Sequence, residues 1–364
     1  MSSSKTQAVE NVRVIYSHIP NAMPRVDEDF RIDRESLNLA EVSLPQDQGV
    51  VLRTLYLSLD SYMRGRMRDP KGSHYAAAFS VGEPMHGGAI AEVVQSTYPK
   101  LSPGDIVMGD LPWQSYTIIQ GEKDSGGVGA LTKLDSARST GLPLSYYLGV
   151  LGMPAWTAYG ALLDIGKPKA GETLFVSAAS GAVGQVAGQV GKNLGMYVVG
   201  TAGDDEKVAY LTRELGFDAA FNYKKCKDGD CTQALKNVCP NGIDVYYENI
   251  GGKMLDAVLN VANNHARIVV CGMQTFYNRA NEDDGVHNLI QLAAKSITMR
   301  GFVVNRDLAA YQDQSVQEIS GWIKEGKFKF RENITEGVEN APQAFVDLLN
   351  GKNFGKAVVK VAEP

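Results

Sequence analysis

Three small residues spaced by two positions, Ala178-x-x-Gly181-x-x-Gly184, offer the first chemistry in this sequence. Small side chains at that spacing let backbone N–H groups approach a pyrophosphate, and the third position lets a helix pack closely on the preceding strand. A phosphate held there sits at the positive end of that helix. The candidate contacts are Ala178, Ser180, Gly181, Ala182, Val183 and Gly184, with Gly203 at the tip of the next strand. A site that prefers NAD places an acid about 20 residues past the glycines, on the ribose 2′-OH. The run Val199-Gly200-Thr201-Ala202-Gly203 carries no acid at its tip, while Lys207 follows on the next helix and Tyr223 closes the next strand. A lysine there can pair with a 2′-phosphate, and a tyrosine can add a hydrogen bond or a flat face. That combination favours NADPH. Asp204 and Asp205 bring opposing charge to the same corner.

Regular elements must hold these residues. An apolar run at 174–176, an apolar-periodic segment (Val183, Val186, Val190, Leu194) and a second β-type run at 197–199 read as strand, turn, helix, strand. Beyond them the pattern predicts a helix over 207–215, a strand over 219–223 and a helix over 231–238. A strand over 243–248, ending at Asn249-Ile250-Gly251-Gly252, a helix over 253–261 and a strand over 266–272 follow. Such alternation predicts an α/β fold, a Rossmann-type doubly wound parallel sheet with its ligands at the carboxyl ends of the strands. Upstream, from Val12 to about 144, short strands punctuated by Gly and Pro predict a β-rich, partly open barrel. Residues 144–163 read as helical with a break at 152–154. The tail reads as helix (309–326), extended chain (328–334), helix (341–349) and strand (356–361), too little to fold alone. The expected organisation is a substrate domain over 1–147, a dinucleotide domain over 148–305 and a segment, 306–364, returning to the first.

The 364 residues are 44% hydrophobic and 21% charged with a net charge of −5, an ordinary soluble composition. A mildly acidic chain argues against a nucleic-acid binder. No apolar run approaches the about 20 residues that span a bilayer, and the polar N-terminus does not read as a secretory signal. The cytoplasm is the expected compartment. Cys226, Cys231, Cys239 and Cys271 lack C-x-x-C spacing and read as free, partly buried thiols. The five scattered histidines form no H-x-x-x-H pair, so no metal site is expected.

Eight runs in order carry a resemblance: YLSLDSYMR (56–64), LGVLGMPAWTAY (148–159), VSAASGAVG (176–184), AGDDEK (202–207), FNYK (221–224), YENIGG (247–252), CGMQTFYN (271–278) and NFGK (353–356). Together they resemble the zinc-independent medium-chain reductases, in the group of leukotriene B4 dehydrogenase, prostaglandin reductase, curcumin reductase and plant alkenal double-bond reductase. The resemblance implies a GroES-like first domain. It sets Lys207 and Tyr223 on the 2′-phosphate, Asn249, Cys271 and Gly272 along the nicotinamide, and Asn353 on the cofactor. It puts Tyr277 beside the substrate carbonyl and the nicotinamide ribose, and Tyr62 and Tyr75 at the substrate cleft. The implied reaction is reduction of the C=C bond of an α,β-unsaturated aldehyde or ketone, with hydride delivered to the β-carbon. Tyr277, protonated at neutral pH with an ordinary tyrosine pKa of about 10, would stabilise the enolate as an oxyanion-hole donor. A homodimer is likewise implied. Asp204 stands where the family usually has Ser, Ser61 where it often has Pro, and the loop 123–129 looks enlarged. Two alternatives stay open: a quinone or carbonyl oxidoreductase on the same scaffold, and a non-catalytic NADPH-binding protein.

Overall fold

The computed structural model describes residues 8–72, 74–121, 127–135, 141–278 and 285–364, so most of the glycine-rich loop 123–129 lies outside the described residues. In chain order the strands are β1 Ala8–Tyr16, β2 Phe30–Asn38, β3 Val50–Ser58, β4 His86–Ser96, β5 Ile106–Pro112, β6 Tyr116–Ile119, β7 Thr132–Lys133, β8 Thr173–Val176 and β9 Tyr197–Ala202. They continue as β10 Ala219–Asn222, β11 Ile243–Glu248, β12 Ala262–Val270, β13 Thr298–Gly301, β14 Glu332–Glu336 and β15 Lys356–Lys360. Two compact units form. One gathers the chain up to Leu148 with Asn333–Asn353 and Ala357–Pro364, and the other gathers Gly149–Glu332 with Phe354–Lys356.

The first unit is built on β3, whose sequence VVLRTLYLS is buried at every position except Arg53 and Tyr56. A strand apolar on both faces needs cover on both, and β3 pairs antiparallel with β4, β6 and β15 within a seven-stranded sheet. The hairpin β1–β2 lies beside this sheet and joins it through main-chain bonds from Val14 to Trp113 and Met85. Helix Ala341–Leu349 closes the core by setting Phe345 edge-on to Trp113, ring centroids 5.9 Å apart. Burying Phe345 stabilises that closure by roughly 2 kcal/mol.

In the second unit all six strands run parallel in the order β10-β9-β8-β11-β12-β13. The order reverses between β8 and β11, which opens the crevice where doubly wound sheets bind their ligands. β8 (TLFV) is buried throughout, as a central parallel strand must be. Helix Ala182–Asn193 crosses to β9 and lies so close to Phe217 that a Cβ on Gly188 would meet that ring at 1.9 Å. The same helix buries Gln185 and Gln189, one turn apart. They bond the main chain of Arg331 and Lys329 at 2.8–3.2 Å and so dock the extended segment before β14. The α/β class is therefore as expected: a Rossmann-type sheet beside a β-rich, GroES-like domain.

Three details differ from expectation. β10 stops at Asn222, because the Asn222 side chain accepts from the Lys224 N–H and turns residues 223–225 into a 3-10 helix. β12 ends at Val270, because the Cys271 and Gly272 N–H groups both bond Glu248 O, at 3.0 and 3.2 Å. Cys226 and Cys231 are not free thiols but a disulfide. A positive φ at Asp228 (+53°) turns the chain back and brings their Cα atoms to 5.1 Å, within bridging range. Cys239 and Cys271 remain free.

Candidate dinucleotide site

The turn after β8 is shaped by one strained residue. Ala178 takes a φ of +48°, a left-handed conformation unusual for alanine. Its carbonyl accepts from the Gly181 N–H at 3.0 Å, while the Ala179 N–H reaches Thr201 O on β9 at 2.9 Å. A Cβ on Gly184 would lie 2.4 Å from Ala178 O, so only glycine permits this approach of helix to turn. Gly181 caps the helix without a side chain, and no acid stands in the first turn of Ala182–Asn193. The helix end thus offers its N–H groups and positive dipole to an anion. Ser180, 8% exposed, borders it.

At the tips of β9 and β10 the charges are sorted. Asp204 caps helix Asp205–Arg213, accepting from the Glu206 N–H at 2.7 Å and the Lys207 N–H at 3.3 Å. Asp205 pairs with Lys225 at 2.7 Å and accepts from Asn222 at 2.9 Å. Each acid that opposed an anionic ligand therefore has a partner of its own. Lys207 is only 9% exposed. Burial pushes its ammonium pKa down, Asp204 and Glu206 oppose this, and the charge of Lys224 adds to it. A desolvated cation beside another cation gains from an arriving anion. Tyr223 and Lys224 lie over Gly203, where a Cβ would meet the Tyr223 hydroxyl at 3.0 Å and the Lys224 chain at 3.1 Å. Sequence reasoning missed Lys224, although its place beside Tyr223 was a usable signal.

At the tips of β11 and β12 the arrangement is internal. Ser177, fully buried, takes the Asn249 N–H on its hydroxyl at 3.0 Å and the Asn249 side-chain amide on its carbonyl at 2.7 Å. Glu248 is also fully buried, and its Oε1 accepts from the N–H groups of Ile250 and Gly251 at 2.5 and 2.9 Å. The Tyr246 hydroxyl stands 2.8 Å from the same oxygen and 3.1 Å from Ser177 Oγ. Glu248 Oε2 has no hydrogen-bond partner among the described residues. Burial raises the Glu248 pKa against the pull of the two N–H groups and the hydroxyls. The network went unread because an acid at a strand end looks like solvent-facing polarity; its place directly after the run Val245-Tyr246-Tyr247, buried throughout, is where it differs from Asp244.

The segment after β12 is stitched to this turn. Gln274 N–H bonds Asn249 O at 3.1 Å, and Thr275 bonds Ile250 O through its N–H (3.1 Å) and its hydroxyl (2.8 Å). A 3-10 turn, Gln274–Phe276, then carries Tyr277 back over Gly272, where a Cβ would lie 3.2 Å from the tyrosine hydroxyl. Asn249, Gly272 and Tyr277 are therefore neighbours. The Cys271 thiol is pushed up to about 12 by burial, which keeps it protonated at neutral pH.

Tyr62, Tyr75 and Asn353 belong to the first unit. Tyr62, half-buried, opens the helical turn Met63–Arg66, and burial with Asp60 and Asp110 pushes its hydroxyl well above the usual tyrosine range. Tyr75 is 60% exposed and stacks on His74 at 4.3 Å. Asn353 is half-buried just ahead of β15. Arg64 is structural, donating to Ala22 O at 2.6 Å and Met67 O at 3.2 Å. Among the described residues no three His, Cys, Asp or Glu side chains converge as a metal cage, and no helix is long and apolar enough to cross a membrane.

Residues 14–125 match the family described as N-terminal domain of oxidoreductase, and residues 182–323 the family described as zinc-binding dehydrogenase. The chain is 43% identical to the NADPH-dependent curcumin reductase of Escherichia coli (strain K12), over 98% of each chain. It is 44% identical to the 2-alkenal reductase (NADP(+)-dependent) of Nicotiana tabacum, over 98% of this chain and 99% of that one. The crystal structure of CurA in complex with NADPH from Vibrio vulnificus superposes with a TM-score of 0.85 at 38% identity, covering 97% of this chain and all of that one. The chain belongs to the medium-chain dehydrogenase/reductase family, in the group that holds the curcumin, alkenal, pulegone and prostaglandin reductases.

Proposed function

We propose that the protein is an NADPH-dependent reductase of the C=C bond of α,β-unsaturated aldehydes and ketones. The residues present fit the cofactor: a helix end capped only by glycine, a turn that a Cβ at Gly184 would fill, and a desolvated lysine at the adenosine end. Ala178, Ser180, Gly181, Ala182, Val183 and Gly184 would take the pyrophosphate, and Gly203, Lys207 and Tyr223 the 2′-phosphate. Asn249, Cys271 and Gly272 would line the nicotinamide. On the resemblance alone, Asn353 is a further cofactor contact, and Tyr62 and Tyr75 are substrate contacts.

Bound NADPH supplies the hydride. The chain's own part begins with Tyr277, whose hydroxyl donates to the substrate oxygen and stabilises the negative charge that develops on that oxygen as the β-carbon is reduced. The bonds from Asn249 O to Gln274 and from Ile250 O to Thr275 fix the segment that bears Tyr277, so orientation is built in before substrate arrives. The observation that carries the reading is the return of Tyr277 over Gly272 at the carboxyl end of β12. Two relatives named for curcumin and alkenal reduction, alike along nearly the whole chain, support the substrate class.

The deciding experiment is turnover of short alkenals, cyclic enones, bulky dienones and a quinone, each with NADPH and with NADH. Saturated carbonyl products formed with NADPH support the reading, and turnover of the quinone alone overturns it. A chelator should leave the rate unchanged, and gel filtration should return a homodimer.

A further inference from the structure

The loop after β10 carries a feature that the proposed reaction leaves unused. Cys226 follows the Tyr223–Lys225 turn directly and donates its N–H to Tyr223 O at 3.1 Å. Its bridge partner Cys231 is 1% exposed, within the apolar cluster of Leu235, Tyr246 and Leu255. Cys231 Sγ lies 3.9 Å from the same Tyr223 carbonyl, a packing contact, since a bridged sulfur has no hydrogen to donate. One covalent bond therefore ties the turn bearing Tyr223 and Lys224 to the buried start of helix Thr232–Val238. The other side-chain ties on that turn are exposed: Lys224 N–H to Asn222 at 3.1 Å, and Lys225 to Asp205 at 2.7 Å. Exposed ties of this kind restrain weakly. Cys226 itself is half-buried between exposed Lys225 and Lys227, so one sulfur of the bridge is within reach of solvent.

We propose that the Cys226–Cys231 pair is a redox-modification site that sets cofactor choice. Bridged, it holds Tyr223 and Lys224 over Gly203 for the 2′-phosphate; as a dithiol it releases them and lowers discrimination between NADPH and NADH. The inference rests on the NADPH reading above. The reductant is an external dithiol. Its thiolate attacks Cys226 Sγ, the S–S bond breaks, and Cys231 leaves as a thiolate and takes a proton. The second thiol of the reductant then displaces Cys226 from the mixed disulfide. Two electrons and two protons pass to the protein, and the reductant ends as a cyclic disulfide. Cytosolic bridges, where they occur, are commonly of this reversible kind.

The test uses the full chain and needs no turnover. Alkylation followed by mass measurement counts free thiols before and after dithiothreitol: two and then four are expected, and four at the outset overturn the inference. Calorimetric titration with 2′,5′-ADP and with 5′-AMP, which lacks only the 2′-phosphate, then isolates that group. Reduction should weaken 2′,5′-ADP about tenfold, about 1.4 kcal/mol, and leave 5′-AMP unchanged, which also shows that the fold persists. Cys226→Ser should bind like the reduced protein and stop responding to dithiothreitol. Equal 2′,5′-ADP affinity in both redox states overturns this inference alone. A bridged protein that binds the two nucleotides equally overturns the NADPH reading and this inference with it.

Discussion

The two ends of the candidate cofactor site are held in opposite ways. At the tips of β9 and β10 the working groups stand on the surface: Tyr223 is 41% exposed, Asp205 and Lys225 pair in solvent, and only Lys207 is buried. At the tips of β11 and β12 the working groups are fastened by Ser177 and Glu248, both fully buried, through four bonds that involve main chain and two from the Tyr246 hydroxyl. A surface cluster of charges can be retuned one residue at a time, because each exposed pair contributes little. A buried network cannot, because removing one member leaves the others desolvated and unpaired. On the function proposed above, cofactor choice would sit in the adjustable half of the site and reaction geometry in the rigid half.

Breaking the rigid half should give the largest effects. Glu248→Ala strips the acceptor from Tyr246, Ile250 and Gly251, and should cost about 3 kcal/mol of stability in urea unfolding, near the penalty for stranding buried donors. Glu248→Gln keeps an oxygen at Oε1 and should lose less than half as much; equal losses would mean that the charge, not the acceptor, holds the turn. Tyr277→Phe leaves that network intact. It should lower kcat/KM for an enone about 100-fold, as loss of one oxyanion donor does, with a far smaller change in the NADPH dissociation constant. An unchanged kcat/KM would remove Tyr277 from the mechanism.

The same division explains what the sequence disclosed. The strands and the glycine turn were legible, though the ends of β10 and β12 were not, because period-2 and period-3.6 patterns and the spacing of Ala178, Gly181 and Gly184 are local. Counting along successive βα units also put Lys207 on the helix after β9 and Tyr223 at the end of β10, and the structure has them on that helix and directly after that strand. What escaped depends on distant partners. Gln185 and Gln189 lie off the apolar positions that marked their helix and drew no reading, yet they bond a segment some 140 residues away in sequence. Glu248 read as the end of a strand, although it ties two loop tips together. Cys226 and Cys231, five apart, read as free thiols because the reversal at Asp228 is set by backbone conformation rather than by any spacing rule.

Perturbing the adjustable half should move affinity and spare stability. Lys207→Ala should weaken NADPH about 10- to 100-fold and leave NADH alone, the loss of one charged hydrogen bond. Raising pH should imitate it. The folded-state pKa of Lys207 lies below that of the unfolded chain, so the cation is lost, and NADPH preference with it, before an ordinary lysine would titrate. Stability of the free protein moves the other way. Below its lowered pKa the buried cation opposes folding, and that cost fades as pH rises through the window beneath the unfolded value. Lys207→Arg should abolish the pH dependence of the NADPH to NADH ratio, and a ratio that is flat in the unsubstituted protein would separate Lys207 from the 2′-phosphate.

Asp204 gives the smallest and finest test. Its carboxylate caps helix Asp205–Arg213 through the N–H groups of Glu206 and Lys207, so it does two things at once: it satisfies a helix end and it places negative charge beside Lys207. Serine caps nearly as well. Asp204→Ser should therefore leave the melting temperature unchanged while tightening NADPH about threefold, the scale of one charge at a helix terminus. Asp204→Ala removes cap and charge together and should cost about 1 kcal/mol of stability for the same gain in affinity. If serine instead weakens NADPH, the acid serves the cofactor by holding the Lys207 N–H and ammonium in place, and charge at this corner is less freely adjustable than its exposure suggests.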